Sequence, residues 1–243
     1  MKIAIIGGSG MDNPQILNNY QEIDFDTPFG KPSDKLVTGT IEGKEIVILS
    51  RHGKDHSIMP TKVPYRANIW TLKELACTHI LATTACGSLK EEFKPGDFVF
   101  LDQFIDLTKH RNLTFFEDKV IHTPMADPFD LDLRKSLVKS AQTLNYNFHD
   151  KGTVITIEGP RFSSRAESNL FRSWNIDVIN MSTVPEVTLA NELGIPYQSI
   201  AMVTDYDCWK EGEESVTIDL VFARMKDNAE RVTKLLIETI TTL

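Results

Sequence analysis

Several short segments combine residue types that could do chemistry together. In Asp205-Tyr206-Asp207 two carboxylates flank an aromatic residue. If the segment ends a strand, side chains two apart point the same way and both carboxyls face one space. Burial and mutual repulsion would then raise at least one pKa. A protonated Asp can donate a proton, and an ionised one can accept from an N–H. Alone, the pair also fits a solvated turn. Arg51-His52-Gly53 offers a guanidinium whose planar fork matches phosphate oxygens. A salt bridge to a nearby acid is the competing reading. Gly7-Gly8-Ser9-Gly10 lets backbone N–H groups approach an anion, with Ser9 adding a hydroxyl. It also fits a plain tight turn, and it is neither G-x-G-x-x-G nor a Walker loop. Thr83-Thr84-Ala85-Cys86-Gly87-Ser88 could complete an anion cradle with hydroxyls and amides, or simply cap a strand. Glu158-Gly159-Pro160-Arg161-Phe162-Ser163-Ser164-Arg165 carries more charge than a turn requires. Phe162 there could stack on a flat ring or pack in a core. His52 and His56 lie four apart, but no H-E-x-x-H and no third ligand accompany them, so no metal site is expected. No His–Cys arrangement marks Cys86 as a nucleophile.

The elements that must position these groups follow from the apolar pattern. β-branched runs at 3–6, 46–49, 79–84, 98–101, 153–157, 178–181 and 197–204 each end in small or polar residues. Helices are expected at 65–75, 130–144, 163–174 and 184–193, the last stopped by Gly194-Ile195-Pro196. A final amphipathic helix carries Ile218, Val221, Phe222, Met225, Val232, Leu236 and Ile240 on one face. Segments 26–34 and 106–128 read as loops. Strands fed by helices predict an α/β fold with a largely parallel, buried sheet in a single domain. Such sheets gather ligands at the carboxyl ends of their strands, where the chemical segments above fall.

Composition bounds the partners. The 243 residues hold 34 acids against 26 Lys plus Arg, a net charge of −8. That disfavours an electrostatically driven nucleic-acid binder, so any anionic ligand must be held by a few local cations and dipoles. Three cysteines without C-x-x-C suit reduced thiols in a cytoplasmic protein. The N-terminal apolar stretch is too short for a signal peptide, and no run approaches the roughly 18 residues of a membrane span.

In combination the segments resemble a known family, the trimeric purine nucleoside and methylthioadenosine phosphorylases. The matching pieces are Ile6-Gly7-Gly8-Ser9-Gly10, Asp26-Thr27-Pro28-Phe29-Gly30-Lys31-Pro32-Ser33-Asp34, Arg51-His52-Gly53 and 83–88. Pro95-Gly96-Asp97, Asp102-Gln103-Phe104-Ile105-Asp106, 156–167, Asn180-Met181-Ser182-Thr183-Val184-Pro185-Glu186 and 204–210 continue in the family's order. The resemblance implies a nucleoside phosphorylase fold over 1–243, with a central mixed, mostly parallel β-sheet flanked by helices. It implies phosphorolysis of 5′-methylthioadenosine to adenine and 5-methylthioribose 1-phosphate, in purine and methionine salvage. Phosphate would be held by Ser9, Arg51, His52, Thr84, the Ala85 backbone and Ser182, with His52 and backbone amides as further donors beside Arg51. Met181 would lie against the ribose, and Phe162 and Ser163 would border the base. Asp205 would act at purine N7 and Asp207 at the exocyclic amine. His56, Ile218 and Val221 would line the 5′ pocket, joined by His122 of the neighbouring subunit in a homotrimer. Phosphate is a cosubstrate, and no metal or organic cofactor is expected.

Asp at 205, where the 6-oxopurine enzymes of the family carry Asn, favours adenine-type substrates. Ser9 and Ser182 stand where many members have Thr, which keeps the hydroxyl. The sequence ends at Leu243, where longer relatives continue into a helix that covers the neighbour's 5′ pocket. A more open pocket and a weaker preference for methylthio over hydroxyl are therefore expected. Two other readings remain: a broader purine nucleoside or methylthioinosine phosphorylase, and a non-catalytic nucleoside-binding protein.

Overall fold

In strand β1 (Lys2–Gly7) the residues Ala4 and Ile6 enter one core, while Ile3 and Ile5 enter another on the opposite face. Successive strand side chains alternate, so a sheet buried on both faces needs apolar residues at every position. The computed structural model describes residues 1–7, 16–212 and 217–243, without the Asp227 side chain. In chain order β1 is followed by β2 (Asn18–Ile23), β3 (Leu36–Ile41), β4 (Lys44–Ser50), α1 (Tyr65–Glu74) and β5 (His79–Ser88). Next come β6 (Phe98–Phe100), β7 (Gln103–Leu107), α2 (Leu131–Thr143), β8 (Phe148–His149) and β9 (Thr153–Ile157). α3 (Arg165–Ser173), β10 (Val178–Asn180), α4 (Thr183–Glu192), β11 (Tyr197–Asp205) and α5 (Ile218–Thr242) complete the chain.

Among the described residues eleven strands form one mixed sheet. Six of its pairings are parallel and four antiparallel. On one face, Tyr65, Ile69 and Leu72 of α1 and Val187, Leu189 and Ala190 of α4 cover the sheet. On the other, Leu133 and Leu137 of α2 meet Met225, Val232, Leu236 and Ile240 of α5. The expected architecture is therefore present. No described helix is long and apolar enough to cross a membrane.

Four strands escape the apolar pattern. β2 (NNYQEI) is almost wholly exposed, so nothing selects apolar residues along it. β3 joins β4 through Glu42-Gly43, both at positive φ, as a two-residue hairpin loop of this hand requires. β7 overlaps the start of the expected loop at 106–128, and β8 has only two residues.

β5 organises the site. β11 runs along one of its edges, pairing over 80–87. The other edge is divided: β1 pairs over 79–82 and the antiparallel β10 only at 87–88. Between them, among the described residues, 83–86 has no strand neighbour on that edge. A sheet that splits at the carboxyl end of a strand opens a crevice there.

Candidate active site

The split in the sheet opens into a cavity of about 450 Å³, in the size range of small-molecule sites. Arg51, His52, His56, Thr84, Ala85, Phe162, Ser163, Met181, Ser182, Asp205, Asp207, Ile218 and Val221 all line it. They come from the ends of β4, β5, β9, β10 and β11 and from the start of α5. Ser9 lies outside the described residues. His122 does not reach this cavity. It lies in a separate surface hollow formed within 114–122.

One end of the cavity is built for an anion. Arg51 is 1% exposed, and its Nη1 donates to the Thr83 carbonyl at 2.8 Å, where β5 has, among the described residues, no strand neighbour on one edge. Its Nε and Nη2 engage both carboxylate oxygens of the buried Glu186, on the first regular turn of α4. Glu186 also accepts from the Tyr197 hydroxyl at 3.0 Å. Burial opposes the guanidinium charge, but Glu186 holds its pKa above the ordinary value. The salt-bridge reading of Arg51 is thus present: the ion pair fixes the fork, and among the described residues two of its five N–H groups have no partner. Beside it the Thr84 and Ser182 hydroxyls lie 2.8 Å apart. Asn180 donates to Thr84 at 3.2 Å and to the neighbouring Thr183 at 2.6 Å, and it accepts from Thr156.

His52 departs from its expected donor role. Its Nδ1 sits 2.8 Å from the Ile58 carbonyl, which can only accept, so Nδ1 carries the hydrogen. Burial, and then the neighbouring Arg51 charge, lower its pKa to about 3. The neutral ring therefore presents Nε2 as an acceptor. His56 lies tilted against it, ring centres 4.2 Å apart, and meets Phe222 edge-on at 5.3 Å. Among the described residues no cluster of three or more His, Cys, Asp or Glu could hold a metal ion.

The other end carries the two carboxylates, placed differently from the strand alternation expected. β11 stops at Asp205, after a register shift, and Asp207 has a left-handed φ of 50°. The Asp207 N–H turns back to donate to Asp205 Oδ1 at 2.7 Å. Side-chain acceptance from the N–H two residues on is an Asx turn, open to Asp and Asn, and here it leaves both carboxyls lining the cavity. Thr204 donates to Asp205 Oδ2 at 2.6 Å. Burial raises the Asp205 pKa against these two donors. Burial, reinforced by the Asp205 charge, pushes Asp207 up to about 6. Gly87 leaves the necessary space, since a Cβ there would lie 3.1 Å from Asp205 Oδ1 and 3.3 Å from Asp207 Cβ.

Between the ends the walls are apolar or nearly so. Phe162 is 36% exposed, which removes the core-packing reading. The Ser163 hydroxyl is buried without a hydrogen-bond partner among the described residues. Met59, Ile157, Ile179, Phe222 and Met225 extend the apolar lining. Of these, Phe222 and Met225 were visible only as part of the apolar face of the last helix.

Arg111 gave no signal in the sequence. Its side chain is fully buried and donates to the carbonyls of Glu158, Met181 and Val184 at 2.8, 2.8 and 2.6 Å. It also pairs with the Glu158 carboxylate at 3.1 Å. Burial would raise the Glu158 pKa, but donors from Lys109, Thr61, His110 and Arg111 lower it to about 2. One guanidinium thus ties the exit of β9 to the 181–184 turn.

The family model of the phosphorylase superfamily matches residues 2–241. The chain belongs to the phosphorylase superfamily. Within this superfamily it is 57% identical over 247 residues to the S-methyl-5′-thioadenosine phosphorylase of Xenopus tropicalis, covering 99% of this chain and 88% of the relative. The enzyme of the same name from Danio rerio is 55% identical with the same coverage. Among solved structures of the superfamily, the methylthioadenosine phosphorylase of Schistosoma mansoni in complex with adenine superposes with a TM-score of 0.96 at 44% identity. That match covers 100% of this chain and 91% of the other. A variant of the adenosine/methylthioadenosine phosphorylase from the same organism, in complex with methylthioadenosine, gives 0.95 at 43%.

Proposed function

We propose that this chain catalyses phosphorolysis of 5′-methylthioadenosine. A phosphate oxygen bonds to the anomeric carbon as the bond to purine N9 breaks, giving adenine and 5-methylthioribose 1-phosphate. The observation that carries this reading is the polarity of one cavity: a guanidinium and hydroxyls at one end, two carboxylates of raised pKa at the other.

At the first end, the N–H groups of Arg51 that have no partner among the described residues and the hydroxyls of Thr84 and Ser182 hold phosphate, with Ser9 and the Ala85 amide completing the set. At the second, Asp205, its pKa raised by burial, acts at N7 by protonating or hydrogen-bonding it as the electron pair accumulates on the base. Asp207 accepts from the exocyclic amine, which selects adenine over a 6-oxopurine. The bond-breaking state places positive charge on the ribose, so the anion below and the acid above both stabilise it. Met181 borders the ribose and Phe162 the base. The reaction as written needs phosphate as cosubstrate and no further cofactor.

Adenosine is a second substrate on this reading. The 5′ end is bounded by Ile218 and Phe222, which are 48% and 38% exposed. The relative from Schistosoma mansoni named for both nucleosides points the same way. We place the activity in the cytoplasm, in keeping with three free cysteines. The assembly is a homotrimer in which His122 of the partner subunit joins the 5′ end. The exposed Val120 and Ile121 beside it supply apolar surface for that contact.

The deciding experiment measures phosphate-dependent base release from methylthioadenosine, adenosine and inosine side by side. Adenine from the first two supports the proposal, while faster hypoxanthine release, or nucleoside binding without turnover, removes it. A preference of several thousandfold for the thioether, on the order of 5 kcal/mol, would remove adenosine alone. Sedimentation equilibrium tests the trimer.

A further inference from the structure

We propose that Trp209 is a positioning residue for Asp207, and that it sets how strictly the site prefers a 6-amino over a 6-oxo nucleoside. This inference rests on reading Asp207 as the acceptor for the exocyclic amine.

The pairing of β11 with β5 ends where Asp205 meets Gly87. Beyond that point the chain turns. Asp207 takes its left-handed φ of 50° and passes over Gly87, where an added Cβ would come within 3.3 Å of Asp207 Cβ. A residue other than glycine keeps such a φ only where its surroundings impose it. On the upstream side Asp205 Oδ1 holds the Asp207 N–H. On the downstream side the indole N–H of Trp209 donates to the Ser88 carbonyl at 2.8 Å. A side chain thus takes over the bonding to β5 one residue past the last paired position. Asp207 stands in a loop fastened to β5 on both sides, by the strand pairing at Gly87 and by the indole at Ser88.

The indole is itself held. It is buried in a small core with Leu89, Ile155, Phe171, Ile176 and Ile179. The Arg172 guanidinium lies 3.7 Å over its ring, and Arg172 Nε donates to the Leu89 carbonyl at 3.1 Å. Tyr206 meets the ring edge-on at 5.9 Å. The loop has another tie, between Lys210 and Glu91 at 3.0 Å, but the Glu91 side chain is 64% exposed and such pairs contribute little. Asp205 lies before the turn, and its partners Thr204 and Gly87 do not depend on Trp209. Loosening the indole therefore withdraws the acceptor from the exocyclic amine and leaves the group at N7 in place. A 6-oxo nucleoside does not use that acceptor, so it has little to lose.

The test uses the whole protein at saturating phosphate and compares methylthioadenosine with methylthioinosine, which share a sugar and differ at position 6. The readout is the ratio of their kcat/KM values. Trp209→Phe keeps a flat ring under Arg172 and loses the N–H. It should lower kcat/KM for methylthioadenosine by about tenfold, within the range for a displaced positioning group, and change that for methylthioinosine by less than about twofold. The ratio then falls at least about fivefold. Asp207→Asn should lower the ratio by itself, and in that background Trp209→Phe should lower it no further, because the residue it positions is gone. Equal losses for both nucleosides, or an unchanged ratio in a folded Trp209→Phe protein, overturn the inference. If that variant does not fold, Arg172→Ala removes the cation from the ring and should lower the ratio at least about twofold, and an unchanged ratio there overturns the inference as well. An unchanged ratio in Asp207→Asn would instead overturn the reading of Asp207 on which it stands.

Discussion

Arg51 and Glu186 share a buried, two-point ion pair, with Nε to Oε1 at 2.5 Å and Nη2 to Oε2 at 2.8 Å. It joins the end of β4 to the start of α4, 135 positions apart. Removing one partner of such a pair strands a buried charge at a cost of about 3–5 kcal/mol. Glu186→Ala should therefore lower Tm by roughly 10 °C in a domain of this size. In the protein that still folds, the phosphate KM should rise more than the nucleoside KM, because the fork is no longer held. Calorimetry and steady-state kinetics check both, and an unchanged phosphate KM would free Arg51 from its anion role.

Asp205 lines the same cavity as Arg51. Asp205→Ala removes the proposed acid while leaving the phosphate end intact. The kcat should fall by about 10²–10⁴, the usual scale for a lost general acid. The phosphate KM should stay within about threefold, since the two ends bind different groups. Near-normal turnover would remove Asp205 from the acid role.

Asp207 sets a pH dependence whose sign can be worked out. Its folded pKa of about 6 lies above the ordinary carboxylate value of 3.8. The folded protein therefore binds the proton more tightly than the unfolded chain. That stabilisation is complete below pH 3.8 and lost as the pH rises through about 6. Asp207→Asn should remove this component, gaining on the order of 2 kcal/mol at neutral pH relative to wild type. Activity should run the opposite way, because an ionised Asp207 is needed to accept from the exocyclic amine. The kcat/KM of the wild type should fall as the pH drops through about 6, and Asp207→Asn should flatten that limb. Profiles of Tm and kcat/KM across this range read both effects.

Arg111 binds four separate carbonyls, of Ile157, Glu158, Met181 and Val184, with one planar fork, a geometry that a lysine cannot reproduce. Arg111→Lys keeps the charge beside Glu158 but loosens the 181–184 turn from the exit of β9. Small misplacements of positioning groups cost up to about 10²-fold in rate, so kcat/KM for the nucleoside should fall by about 10–100-fold. Circular dichroism should show the fold retained. An equal loss in a remote, stability-matched variant would count against a positioning role.

The sequence exposed chemistry wherever an apolar run broke into small, hydroxylated or charged residues. That is why Arg51, Thr84, Ser182 and Asp205 could be singled out: Arg51, Ser182 and Asp205 stand at or just after the end of a buried strand, and Thr84 stands where the apolar run of β5 gives way to small and hydroxylated residues. Glu186 could not, because it sits between apolar neighbours in Val184-Pro185-Glu186-Val187 and its partner is remote in sequence. Arg111 was equally hidden, since its partners are backbone carbonyls, which no residue type advertises. The role of His52 depended on which ring nitrogen meets Ile58, a matter of loop geometry. The paired Asp residues were rightly grouped, but by a turn and not by strand alternation. Buried strands such as β1 and β11 announced themselves, whereas the exposed β2 had no reason to.

The undivided edge of β5 and its divided one differ in role. Along β11 the strand is bonded over 80–87, but at 83–86 its other edge has, among the described residues, no strand beside it, and there Arg51 donates to the Thr83 carbonyl. On the proposed reading, an anion held by Arg51 would sit in the gap between β1 and β10, so one feature of the sheet would both open the cavity and give the cosubstrate its place.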